Sequence, residues 1–172
     1  MKALVVVDYQ VDFVNGALGF AGAETLDGII VDKIRQTRRD NGAVIFTLDT
    51  HNSRYLKTAE GRKLPVPHCI AGTKGHALYG MVAHEARAGD IVIKKPSFGS
   101  MALAKELKRG YYSEVELCGL VTDICVISNA IIAKAALPES RVVVDSRACL
   151  TADPEAQERA LAVMRGVQID VI

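Results

Sequence analysis

Short apolar runs alternate along this chain with longer stretches in which apolar residues recur at helical spacing. The runs Ala3–Val7, Ala43–Leu48, Ile91–Lys94, Val115–Cys118, Val142–Val144 and Val167–Val171 are rich in Val, Ile and Leu, with little polar alternation. Uninterrupted runs of this kind mark strands covered on both faces, as in a parallel sheet. Between them, Thr25–Asp40 sets Leu26, Ile29, Ile30 and Ile34 on one helical face, and Met101–Lys108 and Asp123–Ala136 repeat the pattern. Pro154–Arg165 opens with a proline behind Thr151 and Asp153, a helix-start signature. Strand–helix units in this order predict an α/β fold with right-handed crossovers. Only Asn52–Gly75 breaks the rhythm, with Gly61, Pro65, Pro67, Gly72 and Gly75 and little periodicity. A loop of that length inside a compact domain usually carries function.

The length of 172 residues suits a single domain, 1–172, and neither a linker nor an internal repeat divides it. Hydrophobic residues make up 49% and charged residues 24%, the balance of an ordinary globular chain. A net charge of +1 without a basic stripe argues against nucleic acid or a membrane surface as the main partner. The first apolar run stops at Asp8, too early for an export signal or a membrane span, so a cytoplasmic location is expected. The four cysteines show no CxxC spacing and are expected to be reduced, with Cys118 inside a strand pattern as a core thiol.

Ligands of parallel α/β sheets bind beyond the carboxyl ends of the strands. The polar residues that could carry chemistry fall at those ends. Asp8 closes the first strand, Asp49 and His51 follow the second, Lys94 and Lys95 the third, and Cys125 follows the fourth. A thiol in the first turn of a helix feels the positive end of the peptide dipoles, which favours thiolate and predicts a lowered pKa. Asp8 is a candidate base for it, with a strand-end lysine as charge partner. The strand pattern alone does not choose between Lys94 and Lys95. Asp49 and His51, two apart in extended chain, face the same side. His68, across the loop, completes a mixed N/O donor set of the kind that binds zinc or iron with open positions. His76 and His84 lie in polar surroundings and read as solvated.

Taken together, five segments resemble the isochorismatase-like cysteine hydrolases, most closely their nicotinamidase branch. They are Asp8-Tyr9-Gln10-Val11-Asp12-Phe13, Asp49-Thr50-His51, Pro67-His68-Cys69-Ile70-Ala71-Gly72-Thr73-Lys74-Gly75, Lys95-Pro96, and Gly119-Leu120-Val121-Thr122-Asp123-Ile124-Cys125-Val126. The resemblance spans nearly the whole chain. It implies a three-layer α/β/α sandwich, Rossmann-like, around a six-stranded parallel sheet of order 3-2-1-4-5-6. It also implies Asp8, Lys95 and Cys125 as catalytic triad, and so selects Lys95 over Lys94. Asp49, His51 and His68 would be ligands of a divalent metal, zinc first, with iron or manganese as alternatives. Glu60 falls where some members place a further ligand, though at a different spacing. Backbone N–H groups of Val121 and Cys125 match the oxyanion donors, with a cis peptide expected at Leu120–Val121. Phe13, Gln10 and Tyr55 are the expected substrate contacts. Relatives are commonly dimers or tetramers, so a homo-oligomer is expected.

The implied activity is cysteine-dependent hydrolysis of a small amide such as nicotinamide, through a thioester, in pyridine nucleotide salvage. Two departures bear on the substrate. The chain has no tryptophan, whereas many nicotinamidases clamp the pyridine ring between a tryptophan and the aromatic matching Phe13; Tyr55 or Tyr9 is the substitute available. The small-aromatic sequence usual after the lysine is replaced by Ser97-Phe98-Gly99-Ser100. A carbamoyl or ureido amide is therefore the leading alternative. Isochorismatase chemistry itself does not require the nucleophilic cysteine. A non-catalytic metal- or ligand-binding relative is opposed by the intact triad, and a thiol redox protein by the lack of a resolving cysteine near Cys125.

Overall fold

The structure is a computed structural model that describes residues 1–172. Its strands are β1 (Lys2–Val7), β2 (Ala43–Asp49), β3 (Ile91–Lys95), β4 (Glu114–Leu120), β5 (Arg141–Leu150) and β6 (Asp170–Val171). All pair in parallel in one six-stranded sheet of order β3-β2-β1-β4-β5-β6. The helices are α1 (Val11–Val14), α2 (Leu26–Arg39), α3 (Ala59–Lys63), α4 (Gly80–Glu85), α5 (Met101–Gly110), α6 (Ile127–Ala136) and α7 (Pro154–Gly166). Helices lie on both sides of the sheet, α2 and α4 packed together and α5, α6 and α7 side by side. Burial explains the unbroken apolar runs. From Ala3 to Val7 every residue of central β1 is buried, because both of its faces meet helices.

The register levels the strand ends. Val7 pairs with Thr47 on one side and with Gly119 on the other, and Asp49 pairs with Lys95. Asp8, Asp49, Lys95 and the turn after β4 therefore emerge together at the carboxyl edge. Gly119 is required at this level: its φ is +118, and a Cβ there would collide with the Val7 carbonyl. The cis peptide Leu120–Val121 follows at once, as the family resemblance implies.

Three expectations change in detail. The last strand, expected over Val167–Val171, shrinks to Asp170–Val171 because α7 runs through Gly166 and Gln168 turns the chain with φ 63. Conversely, β5 continues to Leu150, well beyond Val144; Asp145-Ser146-Arg147 interrupts the apolar run and falls in an irregularity of the β4–β5 pairing, which resumes at Gly119 and Cys149. The helix expected from Asp123 starts as a wide π turn over Thr122–Val126 before α6 begins. No helix of the protein is long and apolar enough to cross a membrane.

Candidate active site

Asp8 follows β1 with φ 47, a left-handed conformation that aspartate tolerates better than most residues. Its backbone N–H donates to the Thr47 carbonyl at 3.2 Å, and its Oδ1 accepts from the Thr47 hydroxyl at 2.7 Å. Oδ2 lies 2.6 Å from Lys95 Nζ, and both side chains are fully buried. Lys94, by contrast, points to solvent, so alternation along β3 turns the lysine next to Pro96 inward. The Lys95 ammonium also donates to the Ser97 carbonyl at 2.9 Å and to Cys125 Sγ at 3.6 Å. Cys125 and Asp8 thus flank one ammonium.

The ionisation of this trio follows from its burial. Burial works against the Lys95 ammonium, but Asp8, Cys125 and Asp49 around it, Asp8 foremost, together outweigh it and hold the pKa above the ordinary lysine value. Burial pushes the Asp8 carboxyl up, and Lys95 and Thr47 offset only part of this. The ammonium stays charged while the carboxylate beside it binds a proton more readily than a solvated aspartate. Burial, then the Asp8 charge, pushes the Cys125 thiol well above its usual pKa. This corrects the expectation of a thiol acidified by helix dipoles. At 5% exposure, the desolvation of a thiolate exceeds the pull of one turn's peptide groups. At this site burial favours the neutral thiol over the thiolate.

Beside the trio lies a second cluster. Asp49, His51, Glu60 and His68 bring one ligand atom each within 4.8 Å of one another. His51 Nε2 and His68 Nε2 lie 2.9 Å and 3.2 Å from Asp49 Oδ2, and each is 3.6 Å from Glu60 Oε1. The Nδ1 of His68 meets the Val66 carbonyl at 2.8 Å, which aims Nε2 into the cluster. Thr58 caps α3 by accepting from the Gly61 N–H at 2.9 Å, and this short helix delivers Glu60. Two observations fit these residues to a divalent cation. The buried Nε2 of His51, although 2.9 Å from Asp49 Oδ2, makes no well-aligned hydrogen bond, and two carboxylates with two imidazoles form an N/O donor set of the right kind. Lys95 Nζ, 3.8 Å from Asp49 Oδ1, links the two clusters.

The chain matches the Isochorismatase domain over residues 2–172. It belongs to the isochorismatase family. It is accordingly a hydrolase. The crystal structure of nicotinamidase/pyrazinamidase PncA from Bacillus subtilis aligns with a TM-score of 0.88 at 30% identity, covering 99% of this chain and 98% of that one. Pyrazinamidase of Pyrococcus horikoshii in complex with zinc aligns with a TM-score of 0.87 at 25% identity, again over 99% and 98%. A nicotinamidase/pyrazinamidase of Mycobacterium tuberculosis is 27% identical over 188 residues, 100% of this chain and 98% of its own length.

Around the core of this isochorismatase-family site, several side chains do other work than the sequence suggests. Gln10, expected to touch substrate, is fully buried with both ends of its amide engaged. Nε2 donates to the carbonyls of Asp49 (3.0 Å) and His76 (2.8 Å), and Oε1 accepts from the Asp49 N–H at 2.8 Å. It fixes the backbone of a candidate ligand instead. The Tyr55 ring packs edge-on against His51 and His68, with centroids 4.7 Å and 5.0 Å away, and its hydroxyl donates to the Leu64 carbonyl. This places Tyr55 behind the ligands as a brace. Tyr9, the other stand-in for a tryptophan, is in the core with its hydroxyl on the Ala23 carbonyl. Phe13 lies against His68, ring centroids 5.5 Å apart. His76 is half-buried, with Nε2 2.9 Å from the Thr50 hydroxyl, and so departs from its solvated reading; His84 is exposed as expected. Sequence reasoning passed over Thr47, Asn129 and Asp12, whose carboxylate accepts from the Cys69 N–H at 2.7 Å beside His68. Only a polar residue inside an apolar run, as at Thr47, could have hinted at them.

Proposed function

We propose that this chain is a cysteine amidase that converts a small aromatic amide, nicotinamide first, to the acid and ammonia. The observation that carries this reading is the shared ammonium: the buried Lys95 Nζ contacts both Asp8 Oδ2 and Cys125 Sγ beside a metal-type donor cluster. In the proposed reaction Asp8 takes the Cys125 proton, and the thiolate attacks the amide carbonyl carbon. The raised proton affinity of Asp8 suits it to that transfer better than a solvated aspartate. The N–H groups of Val121 and Cys125 would hold the oxyanion, an arrangement in which one donor is typically worth about 3–4 kcal/mol. Asp8 returns its proton to the leaving ammonia, and then deprotonates the water that cleaves the thioester. Lys95 keeps Asp8 oriented throughout.

Asp49, His51, Glu60 and His68 would hold the divalent cation, and zinc leads because one relative is described in complex with it. When bound, the ion supplies positive charge that anchors and orients substrate next to the thiol. Nicotinamide as substrate would place the protein in pyridine nucleotide salvage, in the cytoplasm. The absence of tryptophan and the Ser97–Ser100 segment favour a second reading, a carbamoyl or ureido amide at the same machinery. Ammonia release from a panel of nicotinamide, pyrazinamide and N-carbamoyl compounds, with metal content measured on the same sample, separates the two. Turnover of nicotinamide at a kcat/KM at least about tenfold above the carbamoyl compounds is the expected result; no ammonia from any of them would overturn the amidase reading.

A further inference from the structure

Asn129 lies on α6, one turn beyond Cys125, and is fully buried. A neutral amide with no exposure is stable only where its donors and acceptor find partners. The Nδ2 of Asn129 donates to the Cys125 carbonyl at 2.8 Å and to the Phe98 carbonyl at 3.0 Å, while Oδ1 accepts from the Ser100 N–H at 3.1 Å. Three backbone groups from two separate segments converge on this one side chain. One is the carbonyl of the candidate nucleophile itself. The others belong to the stretch between Lys95 and α5.

That convergence matters because of the turn that presents the sulfur. Over Thr122–Val126 the backbone is π-helical, and the Val126 N–H reaches back five residues to the Val121 carbonyl at 3.1 Å. Such wide turns are rare, single-turn departures from the α-helical ladder, found frequently at functional sites. Asn129 adds a side-chain bond across this one, to the Cys125 carbonyl. The stretch it grips is held from the far side as well, by the Lys95 ammonium on the Ser97 carbonyl at 2.9 Å. The ring of contacts closes through Lys95 Nζ to Cys125 Sγ at 3.6 Å.

We propose that Asn129 is a positioning residue: its amide locks the nucleophile turn to the segment after Lys95, and so fixes the Cys125 sulfur against Lys95 and Asp8. The inference rests on the reading of Cys125 as nucleophile, and Asn129 itself touches no reacting atom. Asn129→Ala removes all three bonds. Asn129→Asp keeps the shape and the acceptor, but turns an oxygen against two carbonyls. With the zinc-loaded full chain, both variants should lower kcat by about 10- to 100-fold, as displacements of a reacting group do, with KM within about threefold of wild type. Zinc per chain should not change. The pH midpoint for alkylation of Cys125 by iodoacetamide, followed on its peptide by mass spectrometry, should move by about half a unit or more, because it reports the sulfur's contact with its charged neighbours without any amide substrate. The activity of Asn129→Asp relative to wild type should also rise as pH falls, since a protonated carboxyl can donate again, while that of Asn129→Ala stays flat. Folded variants with wild-type kcat and alkylation midpoint would overturn the assignment, as would a loss of activity that follows zinc loss or the unfolded fraction alone. Turnover surviving Cys125→Ala would instead sink the underlying nucleophile reading, so the two failures are distinguishable.

Discussion

The two clusters at the carboxyl edge of the sheet share a neighbourhood and differ in how their charges are met. Around Asp8 the books balance within the protein: one ammonium faces one carboxylate and a neutral thiol, and Lys95 has a partner for each of its N–H bonds. Around Asp49 they do not. Two carboxylates and two imidazoles crowd together, and the nearest ammonium is 3.8 Å from Asp49 and already engaged by Asp8. The first cluster is built to hold its geometry before any ligand arrives. The second is arranged for a cation. At one edge of the sheet, the fold keeps the proposed reacting group apart from the proposed binding group.

The sharpest test of that division removes the sulfur. Cys125→Ala should depress amide hydrolysis by about 10³-fold or more while leaving metal content per chain unchanged, measured by ammonia release and metal analysis. Loss of metal along with activity would show that the clusters are not separable.

Next in size is the balanced ion pair. Lys95→Met leaves a buried carboxylate unpaired and should cost about 3–5 kcal/mol in denaturant unfolding. It should also move the acid limb of the kcat/KM profile. Burial raises the Asp8 pKa and Lys95 lowers it, so removing the ammonium leaves only the Thr47 hydrogen bond against the raising influence, and the limb shifts to higher pH. A limb that stays in place would mean that a group other than Asp8 is the base.

The smallest effect sharpens the other half of the comparison. Zinc at a hundredfold excess over its Kd should stabilise the chain by about 2.7 kcal/mol, seen as a rise in Tm that a chelator reverses. His51→Ala should abolish the increment and leave the stripped protein nearly as stable as before. If instead the variant destabilises the stripped protein and zinc has no effect, the cluster is a structural hydrogen-bonded knot.

Much of this was legible in the chain. Val- and Ile-rich runs marked six strands, and the spacing of Asp49 and His51 placed both on one side of an extended segment. Lys95 and Lys94 could not be separated by pattern, since alternation says only that one faces in. Glu60 could not be fixed either, because its arrival depends on a short helix capped by Thr58 within an aperiodic loop. The acidified thiol was the instructive failure. A local reading weighs a helix terminus, while burial weighs the surroundings brought from other strands, and burial won. For Gln10 the resemblance implies a substrate contact, and nothing near it in sequence reveals that Asp49 and His76 take up its amide.

What the sequence determined by itself was the ladder of buried strands and the residue types waiting at their ends, because period and composition are local properties. Which of those residues meet was decided only by the parallel register that levels Val7, Thr47 and Gly119 and sets Asp49 beside Lys95. The ionisation of each group was likewise left to the tertiary structure, since a charge is felt through the partners and the dielectric that distant segments assemble around it.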